Sequence, residues 1–287
     1  MEEPDIIGLE IDILLETLKR RYSYDFSSYA RASLDRRIRH FAEKNGYSRI
    51  SEIIPQLIWD PSLLKKVVYG ISVPVTEFFR NPRVFKIIRE KVFPVLETYP
   101  HIKIWNAGCA TGQEVYSMAI MLKEEGLYDK TQIYATDFND EALEIAREGI
   151  YSIESVRNQI KNYQQAGGKE TLSDYYLARY NRIIFDNELK KNIVFANHNL
   201  ISDSPFGEMH LILCRNVLIY FNQDLQCNVL DLFMRSLIHG GFLCLGSHES
   251  IRFSAVERFL SPIEKQSKVF KKVARIARER SETDVDE

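Results

Sequence analysis

Two glycines set four residues apart carry the densest chemical signal in the chain. They lie in Ile104-Trp105-Asn106-Ala107-Gly108-Cys109-Ala110-Thr111-Gly112-Gln113-Glu114, where a β-prone run meets a helix-forming one. Glycines at such a junction admit positive φ and let backbone N–H groups come close to a ligand. The spacing is neither the G-x-G-x-x-G of dinucleotide binders nor the G-x-x-x-x-G-K-[ST] of P-loops, so a ligand without phosphates is favoured. An ordinary tight strand-to-helix turn would account for the glycines equally well. Asp137 adds a second signal, because it ends the next β-prone run, Ile133-Tyr134-Ala135-Thr136-Asp137. In a nucleotide-binding α/β sheet an acid at that place accepts ribose hydroxyls at the carboxyl edge of the strands. Its plain alternative is an N-cap for the helix starting near Glu141, a role that Asp140 also suits. Loop and carboxylate together point to an adenosyl ligand.

Three further side chains could act on such a ligand. Arg80 follows Phe78-Phe79, which favours a buried, paired arginine over a surface charge at a helix start. Arg215 follows the apolar run Leu211-Ile212-Leu213-Cys214 and would sit at the carboxyl end of a strand, where α/β ligands bind. Tyr220 stands beside Phe221 and reads equally well as a core aromatic. His198, His210, His239 and His248 lack metal-ligand spacing, so no metal is expected and these histidines read as structural or solvent-facing.

The elements that must position these residues fall into two regions. From Leu9 to about Val73 the pattern is helical, with Ile11, Leu14, Leu15 and Leu18 on one face and Leu34, Ile38 and Phe41 on another. Asn45-Gly46, Asp60-Pro61 and Val73-Pro74 break it. After Pro100 short β-prone runs alternate with amphipathic helices, the signature of a doubly wound, Rossmann-like α/β sheet. Strands are expected at Lys103–Asn106, Gln132–Thr136, Ile193–Ala196, His210–Cys214 and Phe242–Leu245. Tyr151 to Lys191 interrupts the alternation and predicts a small β-containing insertion, with a hairpin over Arg182 to Phe195 around Asp186-Asn187. The expected organisation is therefore a small all-helical domain over 1–75 and an α/β domain over 76–273 with its insertion at 151–191. The charged segment 274–287 is expected to be a disordered tail.

At 287 residues and 45% hydrophobic the chain can build such cores, and its formal net charge of -2 offers no global attraction to nucleic acid or anionic membrane. Cys109, Cys214, Cys227 and Cys244 form no C-x-x-C pair, which points to reduced thiols in a cytoplasmic enzyme. The acidic start Met1-Glu2-Glu3-Pro4-Asp5 is unlike a signal peptide, and there is no run of about 18 apolar residues, so neither export nor membrane insertion is expected.

Four blocks in order resemble the CheR-type chemotaxis protein-glutamate O-methyltransferases. They are Thr76-Glu77-Phe78-Phe79-Arg80-Asn81-Pro82, the glycine loop through Tyr116-Ser117, Ala135-Thr136-Asp137 through Gly149-Ile150-Tyr151, and Cys214-Arg215-Asn216-Val217-Leu218-Ile219-Tyr220-Phe221. Tyr24-Asp25-Phe26 and Gly246-Ser247-His248-Glu249-Ser250 also resemble the family. The resemblance covers nearly the whole chain. It implies transfer of a methyl group from S-adenosylmethionine to glutamate carboxylates on the cytoplasmic helices of methyl-accepting chemotaxis receptors, leaving S-adenosylhomocysteine. It also implies a cofactor site made of Thr76, Arg80, Glu114, Asp137, Asn199, Leu200, Arg215 and Asn216, with Arg80 and Tyr220 near the reacting methyl. Pro74, Gln113 and Val115 depart from the residues usual in the family at those places.

A glutamate is ionised near neutral pH, so such a reaction needs no general base, and the sequence shows no obvious His–carboxylate pair to supply one. Alignment and exclusion of water would carry the rate. Between Lys19 and Arg49 stand nine Lys or Arg against three Asp or Glu, a local net of +6. Arg36 and Arg39 project opposite the Leu34-Ile38-Phe41 face, with Arg37 flanking. A solvated face is the plain reading, and the resemblance implies docking of acidic receptor helices on them. Methylation of RNA or of a small molecule is the competing activity, although no RNA-binding motif or exposed aromatic platform accompanies the basic helix. A catalytically silent, cofactor-binding adaptor is the competing non-enzyme, and the intact Gly108, Gly112, Asp137, Arg215 and Tyr220 speak against it.

Overall fold

The computed structural model describes residues 3–72, 76–205 and 207–274. Pro74 and the expected charged tail beyond residue 274 lie outside the described residues.

Four helices form the first layer: α1 (Glu3–Tyr22), α2 (Arg31–Lys44), α3 (Ile53–Trp59) and α4 (Ser62–Ile71). Residues at three- and four-residue spacing, Ile11, Leu14 and Leu18 on α1 and Leu34, Ile38 and Phe41 on α2, meet Ile53, Leu57, Val67 and Ile71 in one apolar core. The helices stop where the sequence breaks them. Asn45 donates its side-chain amide to the Phe41 carbonyl at 2.7 Å and Gly46 turns at φ +76°, while Asp60 accepts from the Ser62 N–H at 2.9 Å ahead of α4.

A second helical stretch runs through α5 (Pro82–Ile87), a π-helical turn over Ile88–Val92 and α6 (Phe93–Leu96). Pro94 can donate no hydrogen bond, so the wider turn forms directly ahead of it. There follows the main sheet, with strands β1 (Ile102–Ala107), β2 (Thr131–Asp137), β6 (Ile193–Asn197), β7 (Met209–Cys214), β8 (Leu237–Leu245), β9 (Leu260–Pro262) and β10 (Val269–Lys272). Their order is β6-β2-β1-β7-β8-β10-β9, parallel as far as β8 and antiparallel beyond it. The sheet is thus a mixed seven-stranded form of the expected Rossmann-like architecture. Its antiparallel edge, β9 and β10, was not anticipated from the sequence.

Both faces of the sheet are covered, as a doubly wound fold requires. Along β1, Ile102 and Ile104 enter the core shared with α7 (Gln113–Glu124), while Trp105 and Ala107 enter the core shared with α11 (Gln223–Ser236). The chain runs outward from β1 to β2 and β6, then returns to lay β7 on the other side of β1. This reversal opens a crevice at the carboxyl ends of β1 and β7, the place where α/β sheets bind ligands.

Between α8 (Asp140–Glu148) and β6 the chain forms the small insertion: β3 (Ile150–Ser152), α9 (Ile153–Arg157), α10 (Ile160–Gln165), β4 (Tyr176–Arg179) and β5 (Arg182–Phe185). Its antiparallel sheet has the order β3-β5-β4. The hairpin lies one turn earlier than expected. It closes at Tyr180-Asn181, both at positive φ (+45° and +61°), as a two-residue turn between antiparallel strands demands. Asp186-Asn187 instead lead into the short 3-10 turn Asn187–Leu189, which carries the chain back to β6 of the main sheet.

Candidate active site

The loop after β1 is built by close packing. Gly108 and Gly112 have φ of +73° and +89°, and a Cβ on either would meet Val217 Cγ2 at 2.5 Å or Ala146 Cβ at 2.8 Å. The two glycines therefore serve the approach of protein neighbours as well as an open backbone. The N–H groups of Gly108 and Cys109 both bond to the Thr136 carbonyl, at 2.8 and 2.9 Å, which ties the loop to the end of β2. Asp137 accepts from the Ala110 N–H at 2.9 Å and from the Asn139 N–H at 3.0 Å. The cap of α8 is Asn139, whose Oδ1 accepts from Glu141 and Ala142, so Asp137 is spared that task. Burial raises the Asp137 carboxyl above the usual aspartate range, and its backbone donors only partly restore the charge.

Opposite this loop, Arg215 at the end of β7 is almost fully buried. Nη1 pairs with the Glu114 carboxylate, Nη2 donates to the Arg80 carbonyl at 2.7 Å, and the guanidinium lies 5.2 Å from the Phe85 ring. Burial works against its charge, but Glu114 outweighs burial and holds the guanidinium above its ordinary range. Glu114 in turn accepts from Asn106 Nδ2 at 3.1 Å. The segment carrying Asn216 and Tyr220 hangs on Glu249, a buried carboxylate that accepts from the N–H groups of Val217 and Leu218 at 2.8 Å and from that of Gly246. Burial raises Glu249 as well, against the pull of those donors.

The helical domain closes the site. Asn222 N–H donates to the Ser28 carbonyl at 2.9 Å and Ala30 N–H to the Tyr220 carbonyl at 2.8 Å, while Asn139 Nδ2 reaches Ser72 Oγ at 2.8 Å. Thr76, Arg80, Glu114, Asp137, Asn199, Leu200, Arg215, Asn216 and Tyr220 all line one cleft. Arg36 and Arg39 do not line it and stand exposed on α2. Arg37, expected to flank them, is 8% exposed and lines the cleft with Tyr29. Burial lowers the Arg37 guanidinium, and it raises the Tyr29 hydroxyl, with Asp137 adding to the rise. His198, read from the sequence as structural or solvent-facing, is in the cleft wall, packed edge to face on Trp105 at 5.3 Å. Tyr29, Arg37, Asn139 and Glu249 are the contributors that sequence reasoning missed. Arg37 left a trace there, as an arginine on the border of an apolar helix face, and Glu249 as part of a block that resembles the family.

The cleft fits an adenosyl cofactor. Asp137 keeps acceptor capacity beyond its two backbone donors, no lysine waits in the glycine loop for phosphate, and Arg215 Nε is buried with no hydrogen-bond partner among the described residues. Comparison with known proteins agrees. Residues 74–268 match the family described as CheR methyltransferase, SAM binding domain, and residues 9–71 match CheR methyltransferase, all-alpha domain. A Pseudomonas putida protein provisionally named methyltransferase Cher3 is 46% identical over 264 residues, which is 92% of this chain and 97% of that one. A chemotaxis protein methyltransferase of Listeria innocua is 30% identical over 250 residues, 86% of this chain and 92% of its own. The chain belongs to the CheR family of S-adenosylmethionine-dependent methyltransferases.

Proposed function

We propose that this methyltransferase esterifies glutamate side chains on the cytoplasmic helices of methyl-accepting chemotaxis receptors, and so acts in the cytoplasm as a protein-glutamate O-methyltransferase. The observation that carries the reading is the cleft's surplus of cations: Arg37 and Arg80 line it without an ion pair among the described residues, beside the Tyr220 hydroxyl. Such a lining suits an anionic nucleophile. The Listeria innocua relative, a chemotaxis protein methyltransferase by name, supports the same substrate class.

When bound, S-adenosylmethionine supplies an electrophilic methyl group on a sulfonium centre. Asp137 would take the ribose hydroxyls, with Glu114, Asn199, Leu200, Arg215, Asn216 and Thr76 completing the cofactor's surroundings. The substrate carboxylate oxygen forms the new bond to the methyl carbon while the carbon–sulfur bond breaks and its electron pair goes to sulfur. A carboxylate and a sulfonium become a neutral ester and a neutral thioether, so no proton moves and no base is required. Arg80 and Tyr220 would orient the carboxylate, and their contribution is alignment.

Recognition is assigned to Arg36 and Arg39. Of the basic residues around them, Lys19 pairs with Asp25, Arg20 with Glu16, and Arg31 with Asp12 and Asp35, whereas Arg36 and Arg39, like Arg21, Lys44 and Arg49, have no ion pair among the described residues. An acidic receptor helix would find these two unneutralised. Transfer of tritiated methyl groups to a purified receptor cytoplasmic fragment, run beside total RNA, tests the substrate class. Label is expected in the receptor fragment. Label in RNA with none in the receptor would replace the reading.

A further inference from the structure

Among the described residues of the helical domain, Arg37 is the one charged residue that is buried. Its guanidinium is held on three sides. Nε donates to the Ser33 carbonyl at 3.1 Å, Nη1 donates to the Ile71 carbonyl at 2.6 Å, and its plane lies 4.9 Å from the centre of the Tyr220 ring. The remaining nitrogen, Nη2, is buried and meets no hydrogen-bond partner among the described residues. No carboxylate among the described residues neutralises the group, although unpaired buried charge is costly and proteins rarely leave it so. An orphaned donor alone would prove little. Here it belongs to a residue that lines the cleft, touches Tyr220 and adjoins the exposed Arg36 on the same helix turn.

We propose that Arg37 binds the carboxylate of the methyl-accepting side chain through Nη2, with the Tyr220 ring as its platform. The inference rests on the glutamate-esterification reading and adds to it a link between docking and chemistry. A receptor helix lying on Arg36 and Arg39 presents its glutamate inward, and the next inward cation on α2 is Arg37. With Nε and Nη1 already committed to carbonyls, one free nitrogen grips one carboxylate oxygen and leaves the other available to attack. A fully bidentate clamp would instead stabilise the ground state and slow the reaction. Because the product ester is neutral, the same contact weakens once the methyl group has moved, which favours release.

The test uses the full chain with a receptor cytoplasmic fragment and compares Arg37→Met with Arg37→Lys. Arg37→Met removes charge and donors while keeping an unbranched apolar stem. The expected result is a fall in kcat/KM for the receptor fragment on the order of 10- to 100-fold, as for loss of one charge-assisted hydrogen bond, with S-adenosylmethionine affinity by calorimetry within about twofold of the parent. Arg37→Lys keeps a cation able to reach the Ile71 carbonyl, and it decides the matter if Arg37→Met does not fold; it should bind cofactor normally and lose kcat/KM about 10-fold, since a lysine cannot hold both contacts. Unchanged kcat/KM in a folded variant overturns the inference. So does a parallel fall in cofactor affinity, which would place the cofactor's own carboxylate at Nη2. If the parent protein itself makes no glutamate ester, it is the functional reading that has failed, and the two failures are thereby told apart.

Discussion

Helix α7 carries a buried glutamate at each end, and the two are treated differently by the fold. Glu114, in the first turn, lies at the favourable end of the helix dipole and faces a cleft. Glu124, in the last turn, lies at the unfavourable end and has no exposed side-chain surface. The protein answers by saturating it: Arg89 Nη2 at 2.6 Å, the Lys169 N–H at 3.1 Å, the Tyr175 hydroxyl at 3.2 Å and the Tyr163 hydroxyl all donate to Glu124. Three of those donors come from the insertion, so this cluster fastens the insertion to the main domain. Burial, and Glu124 beside them, raise both tyrosines. Largely buried Arg–Glu pairs therefore occur at both ends, and Arg89 Nε even lacks a hydrogen-bond partner among the described residues, as Arg215 Nε does. Neither burial nor an orphaned donor distinguishes the two ends. Adjacency to the cleft does.

The largest expected effect breaks the comparison at its structural end. Glu124→Ala leaves buried Arg89 with Glu125 as its one remaining carboxylate and takes the acceptor from the Lys169 N–H and the Tyr163 and Tyr175 hydroxyls; it should cost about 3–5 kcal/mol in urea unfolding, with the folded variant binding S-adenosylmethionine within about twofold of the parent. A large loss of cofactor affinity in folded protein would mean that the two ends of α7 are coupled after all.

At the cleft end, Asp137→Asn should weaken S-adenosylmethionine by about 1.5–3 kcal/mol in calorimetry with little loss of stability. The pH dependence follows in sign. Folding raises the Asp137 carboxyl, so the ionised group opposes folding, and its contribution to stability declines as pH rises from the ordinary aspartate range through the raised value. Ribose hydroxyls donate to the ionised form, so cofactor affinity should rise over the same window. In Asp137→Asn that rise should vanish; its persistence would assign the titration to another group.

The cleft could be read from the sequence where chemistry and local pattern coincide. Gly108, Gly112 and Asp137 sit at strand ends, and the strands themselves are dense apolar runs. It could not be read where long-range packing decides. Glu249 reads as a polar loop residue, yet it is buried because three backbone N–H groups, two from the segment after β7 and one from its own turn, require an acceptor. Tyr29 and Arg37 join the site only when the helical domain packs on the segment after β7, through the Tyr29–Phe221 bridge and the Arg37–Tyr220 contact. Strands β9 and β10 are three and four residues long, too short for an alternating pattern to register. The hairpin was misplaced because Asp186-Asn187 is the stronger turn signal, whereas the actual turn puts a tyrosine at positive φ, which few turns do.

Two smaller effects sharpen the division of labour between the cleft and the exposed face of α2. Tyr220→Phe keeps the ring under Arg37 and removes the hydroxyl; turnover should fall roughly 10-fold with cofactor affinity unchanged, and equal turnover would make Tyr220 a packing residue. Reversing Arg36 and Arg39 to Glu should raise the receptor KM several-fold and flatten its salt dependence, because exposed charges are screened over about 8 Å at 0.15 M ionic strength. Indifference of KM to both changes would leave α2 a solvated face.

The most direct measurement is of the bond formed. The full chain, co-expressed with a receptor cytoplasmic fragment, should leave methyl groups on the receptor that alkali releases as methanol, and substitution of Asp137 should reduce them. Methyl groups that resist alkali, or a receptor that gains none while the protein still binds S-adenosylmethionine, would contradict glutamate esterification.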